Sequence, residues 1–363
     1  MSFNPDNPRR KALIAMSGGV DSSVAAYLAI ESGLDCIGVT MKLFNNEDAG
    51  VSREKSCCSL EDTEYARGVA YRLGMPYYVF NFTADFKEQV MRRFVEAYER
   101  GATPNPCIDC NRYLKFDRLY RRAKELGCEY VVTGHYARIE EENGRFLLKK
   151  AVDPTKDQSY VLYSMTQDEL RHTLFPLGGM TKMHTRELAR KLGFYNADKP
   201  DSQDICFVPD GDYAEFLREY GHVAMEPGDF VDQDGHVLGR HKGLPCYTTG
   251  QRKGLGVSAG KHVYVVRKNA ADNTILLGDN EDLFTGRLTA CRVNWIAGQA
   301  PAGPIRVTAK TRYSQTEAEA TVTPLEGQRI EVVFDRPQRA VTAGQAVVLY
   351  DGDQVLGGGV IED

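Results

Sequence analysis

From Lys11 to about residue 210, short apolar runs alternate with longer stretches in which apolar residues recur at helical spacing. The runs at 12–16, 36–41, 77–80 and 130–133 read as strands, and the stretches at 22–31, 60–73, 86–100 and 113–126 as helices between them. A further helix, 182–192, stops at Gly193. This alternation predicts an α/β domain, a parallel sheet covered on both faces, with its ligand at the carboxyl ends of the strands. Beyond Tyr220 the pattern changes to short segments, such as 229–232 and 262–266, separated by Asp-Gly, Gly-Leu-Pro and Asp-Asn turns. From about Arg287 apolar and polar residues alternate strictly: Ile305, Val307 and Ala309 against Arg306, Thr308 and Lys310. That period predicts an antiparallel barrel or sandwich. Three domains are expected: 1–212, an α/β catalytic domain; 213–283, a small β-rich domain; and 284–363, a C-terminal β-barrel.

Of the 363 residues, 42% are hydrophobic and 26% charged, as in a soluble globular protein. No apolar run approaches the roughly 18 residues of a membrane span, and the polar, proline-containing start does not read as a signal peptide. The expectation is a cytoplasmic protein with no membrane partner. A net charge of −5 excludes a general electrostatic coat for nucleic acid, so an RNA partner would be met by local patches. The run Arg112, Lys115, Arg118, Arg121, Arg122 and Lys124 reads as a solvated helix face. Nine cysteines without a secretion signal point away from a disulfide framework and toward redox, nucleophilic or metal chemistry.

Between the first strand and the first helix lies Ser17-Gly18-Gly19-Val20-Asp21-Ser22. Glycines let the backbone approach an anion, and the new helix offers unpaired N–H groups and a favourable dipole. The segment lacks both the GK[ST] ending of a Walker loop and the third glycine of a dinucleotide fingerprint. It resembles the S-G-G-x-D-S pyrophosphate loop of enzymes that split ATP between its α and β phosphates. A second signal is Thr103-Pro104-Asn105-Pro106-Cys107-Ile108-Asp109-Cys110-Asn111. Its prolines predict an exposed loop, and a Cys-x-x-Cys at a helix start is placed for a lowered thiol pKa. Cys206 lies far off in Asp201-Ser202-Gln203-Asp204-Ile205-Cys206-Phe207. Cys36, Cys128, Cys246 and Cys291 read as packing residues, Cys57-Cys58 has no assignable role, and no second pair completes a structural zinc site.

Together with Gly134-His135-Tyr136, Lys156-Asp157-Gln158, Tyr247 to Gly254 and Arg312-Tyr313, these motifs occur in the order and spacing of the bacterial tRNA-specific 2-thiouridylase (MnmA) family, which the chain resembles from about Lys11 onward. The resemblance implies an adenine nucleotide alpha-hydrolase-like domain. It further implies ATP- and Mg2+-dependent adenylation of the wobble uridine in tRNA for Lys, Glu and Gln, followed by sulfur transfer to its 2-position. Ala15, Met16, Ser17, Gly18, Gly19, Val20, Asp21, Ser22, Met41 and Gly134 match ATP-binding positions. Cys206 matches the persulfide carrier, charged by a sulfur-relay protein or cysteine desulfurase, and Cys110 its partner nucleophile, the two ending as a disulfide. Asn105, Pro106 and Cys107 match positions that hold the target base; His135, Lys156, Asp157, Gln158, Arg312, Tyr313 and Gln345 match tRNA-contacting ones. The family pattern has aspartate where this chain has Cys107. Three cysteines, Cys107, Cys110 and Cys206, would suit an iron–sulfur (4Fe-4S) cluster, so persulfide and cluster chemistry both stand open. A different pyrophosphate-loop synthetase is the rival reading; it would need neither the Cys-x-x-Cys with its distant cysteine nor the terminal barrel.

Overall fold

Alternation along the first strands separates two cores, and the sheet follows from it. The structure, a computed structural model, describes residues 10–45, 60–201, 205–208, 211–258 and 260–362. Strands β1 (Lys11–Ala15), β2 (Asp35–Lys42), β3 (Tyr77–Asn81) and β4 (Tyr130–Val132) are followed by a hairpin, β5 (Arg138–Glu142) and β6 (Arg145–Lys149), and by β7 (Thr173–Leu174). The sheet order is β3-β2-β1-β4-β7, every pairing parallel. Leu13 and Val131 point to one core with Phe86, Phe94 and Leu114; Ala12, Ile14 and Val132 point to the other with Val24, Val69 and Ala189. Helices α1 (Val20–Glu31), α2 (Leu60–Arg72) and Lys182–Lys191 cover the second face. Helical segments 83–99 and 106–125 cover the first.

Two sequence expectations need correction. The Cys-x-x-Cys segment is not a loop: the helix begins at Pro106, where a missing N–H costs nothing, and the Asn105 side chain caps it by accepting from the Cys107 N–H at 3.1 Å. The antiparallel hairpin β5–β6 interrupts the expected strand–helix alternation; its Glu-rich strand masked the apolar period. Both helices on the first face also widen into π-helix, over Lys87–Met91 and Cys110–Arg118, a feature that propensity does not encode and that recurs at functional sites.

Strands β8 (Gly228–Val231), β9 (Val237–His241), β10 (Tyr264–Asn269) and β11 (Thr274–Gly278) form a small sheet of order β10-β11-β8-β9 around Phe230, Val265 and Ile275. The last six strands, β12 (Phe284–Trp295), β13 (Ile305–Lys310), β14 (Ala318–Leu325), β15 (Arg329–Arg339), β16 (Ala346–Asp351) and β17 (Gln354–Ile361), close into a barrel through β12–β17 pairing. Val307, Ala309, Ala320, Val322 and Val332 fill it, the inward members of the period-two pattern. No described helix is long and apolar enough to cross a membrane.

The barrel is welded to the α/β unit. Lys149 of β6 pairs with Gln354 of β17, and Ile108, Phe116, Tyr160 and Leu162 share a core with Val348, Tyr350 and Val355. Thr103 donates its N–H to Ala343 O at 2.8 Å beside Gly344, whose φ is +87° and whose added Cβ would lie 2.9 Å from the Ala102 Cβ. Gly344→Ala is therefore expected to cost about 1–3 kcal/mol and lower the thermal midpoint; an unchanged melting curve would contradict this docking.

Candidate active site

The pyrophosphate loop is held open by what surrounds it. Met16 donates its N–H to Val39 O at 2.8 Å and accepts from Thr40 Oγ1 at 2.7 Å, fixing the end of β1. Gly18 turns at φ +77°, and a Cβ there would meet Asp62 O at 2.3 Å. Gly19 is the N-cap of α1 and offers no side chain to its first N–H groups, while the Ser22 and Ser23 hydroxyls each donate to Gly19 O at 3.0 Å. Ser22 Oγ also accepts from the Ser17 N–H at 3.2 Å. Gly134, at the exit of β4, abuts the loop: a Cβ would lie 2.8 Å from Asp21 C and Ser22 N. Met41 and Val20 are buried and Ala15 half-buried around this turn. Helix start, glycine turn and uncapped amides together form an anion cradle at the carboxyl edge of the sheet.

Beneath the cradle lies an ionic network. Lys182 Nζ sits 2.7 Å from both Asp21 carboxylate oxygens and 2.7 Å from Asp201 Oδ1. Lys156 Nζ approaches Asp201 Oδ2 at 2.7 Å, and Arg186 approaches Oδ1 at 2.9 Å. The Tyr136 hydroxyl donates to Asp21 Oδ1 at 2.9 Å, and Asn196 Nδ2 to Gly18 O at 2.8 Å. Burial pushes the Asp201 carboxyl up, but hydrogen bonds from Lys156 and Lys182 outweigh it and hold the group at about 2. Lys182, Arg186 and Asn196 escaped the sequence reading, and Tyr136 entered it only within a motif, without a role. One signal was available: a lysine in the first turn of a helix opposes the macrodipole, a position that needs another reason.

The cysteines divide. Cys110 and Cys206 are half-buried and pack against the same aromatic core as Phe86, Phe94 and Phe207. Cys107 is solvent-exposed, yet the protein crowding its remaining surroundings raises its thiol against the pull of the Lys115 ammonium, opposite to the shift expected from the helix start. The three sulfurs do not all lie within 4.8 Å of one another. Cys57, Cys58, Ser202, Gln203 and Asp204 lie outside the described residues.

A cavity of about 250 Å3 opens between connecting segments of the three units, lined by Thr103, Thr248, Arg312, Tyr313, Thr342 and Gln345. Gln345 Nε2 donates to Thr103 O at 2.7 Å, and the Arg312 guanidinium donates to Ala340 O and, at 2.9 Å, to Thr342 Oγ1. Tyr313 is exposed and meets Tyr160 edge-on at 6.0 Å. Of the candidates on the Cys-x-x-Cys segment, Asn105 lies two residues beyond Thr103, and Pro106 is buried at the helix start. Other candidates face inward. His135 is buried between Phe116 and Phe175, its Nδ1 2.7 Å from Thr133 Oγ1, and burial followed by Lys115 drives its pKa well below 6.5, leaving it neutral. Asp157 accepts from the Ala151 N–H at 3.0 Å and the Ser159 hydroxyl at 2.7 Å, and Gln158 Oε1 from the Tyr136 N–H at 2.9 Å. In the basic run, Arg118, Arg121 and Arg122 pair with Asp85, Asp117 and Glu125, as a solvated face does.

An anion cradle at the sheet's carboxyl edge, followed by a second small sheet and a closed barrel, defines an α/β enzyme of the pyrophosphate-loop class. Residues 10–210 match the family described as tRNA methyl transferase HUP domain, 214–279 the tRNA methyl transferase PRC-barrel domain, and 285–361 the aminomethyltransferase beta-barrel domain. The tRNA-specific 2-thiouridylase MnmA of Clostridioides difficile (strain 630) is 52% identical over 97% of this chain and 98% of its own. Those of Clostridium acetobutylicum, 50% identical over 97% and 99%, and Symbiobacterium thermophilum, 51% over 97% and 92%, are similar throughout. The chain belongs to the MnmA family.

Because folding lowers the Asp201 pKa from 3.8 to about 2, its pairs contribute fully above about pH 4 and lose that contribution, about 2 kcal/mol, as pH falls toward 2. Urea midpoints measured across that window should fall more steeply for the wild type than for Asp201→Asn; parallel curves would contradict the network.

Proposed function

We propose that the protein is an ATP-dependent tRNA-uridine 2-sulfurtransferase acting on the wobble uridine of tRNA for Lys, Glu and Gln. The observation that supports this is that Cys110 and Cys206, 96 residues apart, each pack against the same large hydrophobic cluster, in a domain whose sheet edge carries an anion cradle. The names of the relatives, identical at about half of all positions, point the same way.

The target uridine is turned out of the anticodon loop and held by Asn105, Pro106 and Cys107 in front of the barrel wall. Its O2 attacks the α-phosphorus of ATP, and pyrophosphate leaves into the loop of Ser17 to Ser22. Mg2+, when bound, supplies charge neutralisation at the phosphates, for which the Asp21 carboxylate is a suitable oxygen donor. The terminal sulfur of a Cys206 persulfide then attacks C2, and AMP departs with the former O2. The Cys110 thiolate attacks the Cys206 Sγ, the S–S bond to the transferred sulfur breaks, and 2-thiouridine leaves behind a Cys110–Cys206 disulfide for an external thiol to reduce. A sulfur-relay protein or cysteine desulfurase supplies the persulfide sulfur, in the cytoplasm. Arg312, Tyr313 and Gln345 contact tRNA, with His135, Lys156, Asp157 and Gln158 supporting the wall behind it. Residues 1–212, 213–283 and 284–363 act as catalytic, linking and tRNA-contacting domains.

The donor set favours two cysteines over a three-thiolate 4Fe-4S cluster. Cys107 is exposed, carries a raised thiol pKa and neighbours Lys115 and Tyr313, whereas Cys110 and Cys206 share the aromatic core. No step is therefore routed through a cluster. Mercury-gel retardation of a tRNA-Glu transcript, with ATP, Mg2+ and a persulfide donor, should show an ATP-dependent band that falls about 1000-fold or more in Cys110→Ser and in Cys206→Ser. Thiolation at full rate by Cys110→Ser would overturn the assignment. Cys107→Asp should keep most activity without stoichiometric iron; its complete loss together with bound iron in the wild type would favour the cluster.

A further inference from the structure

Lys182 sits where the helix dipole alone would not place a cation. It opens the helix Lys182–Lys191, where the macrodipole disfavours a cation, and its side chain is only 11% exposed. Its ammonium spends its protons on the two Asp21 oxygens and on Asp201 Oδ1, each at 2.7 Å. Asp201 does not depend on it, since Lys156 and Arg186 also reach that carboxylate. Asp21 keeps the Tyr136 hydroxyl whether or not Lys182 stays. The local charges balance: Asp21, Asp201 and Asp153, which accepts the Lys182 backbone N–H at 2.9 Å, stand against Lys156, Lys182 and Arg186. Asp21 lies in the first turn of α1, beside amides that no side chain caps. An anion entering that cradle meets Lys182 as a buried, flexible cation with three rotatable donors, a group suited to changing partners.

We propose that Lys182 exchanges Asp21 for the β- or γ-phosphate of bound ATP while keeping Asp201. Nucleotide binding is thereby tied to Asp201, five residues before Cys206. Lys182 is a phosphate-binding and positioning residue of the cradle, and the inference rests on the ATP reading given above.

The test is calorimetric titration of α,β-methylene-ATP with Mg2+, and separately of AMP, into wild type, Lys182→Met and Lys182→Arg, with folding checked by circular dichroism. The triphosphate dissociation constant should rise roughly 10- to 100-fold in Lys182→Met. It should recover in part in Lys182→Arg, while AMP binding, which lacks those phosphates, stays within about twofold. Equal triphosphate affinity in wild type and Lys182→Met overturns the proposal and leaves the ATP reading intact; a wild type that binds no triphosphate overturns both. Should Lys182→Met fail to fold, a crystal structure of the wild type with the analogue decides. Nζ within hydrogen-bond distance of a phosphate oxygen supports the exchange, and Nζ still on both Asp21 oxygens overturns it.

Discussion

A lysine ammonium has three protons to give, and Lys182 gives them to carboxylates from two distant parts of the chain, Asp21 and Asp201. Desolvating a cation is costly, and one carboxylate seldom repays it. Two carboxylates, with Lys156 and Arg186 sharing the second, make the arrangement self-consistent in a half-buried setting. The loop after β1, the helix Lys182–Lys191 and the approach to Cys206 thus meet at one point. The cradle's shape depends on that point and on Gly134, which alone lets the exit of β4 come within contact of Asp21 and Ser22.

The second constraint is the junction between the α/β unit and the barrel. Ile108 lies between the two cysteines of the Cys-x-x-Cys and is buried in the core that the units share. The same helix start that carries Cys107 and Cys110 is therefore fixed against the barrel, while Thr103 is tied to Ala343 and Gln345. The cavity between the units thus has a wall whose parts come from residues more than 200 positions apart.

Much of this was legible in sequence. Period and glycine placement predicted β1 to β4, α1, α2 and the barrel strands to within a few residues, because each is buried on a defined face. The pyrophosphate loop was legible because its glycines and polar residues are adjacent. What escaped depends on contacts between distant segments: the β5–β6 hairpin, which is stabilised by joining β17; the π-helix after Cys110; and the Lys182 network, whose members are scattered from 21 to 201. The raised Cys107 thiol escaped for the same reason. A local dipole argument does not see the partial desolvation that distant residues impose on this thiol.

The proposed route of sulfur runs through the pair Cys110 and Cys206. Its most direct test is peptide mass spectrometry of the enzyme after a single turnover on tRNA, run with persulfide-charged protein, ATP and no external thiol. One Cys110–Cys206 disulfide is expected for each 2-thiouridine formed. Thiolated tRNA accompanied by two intact thiols at those positions would contradict it.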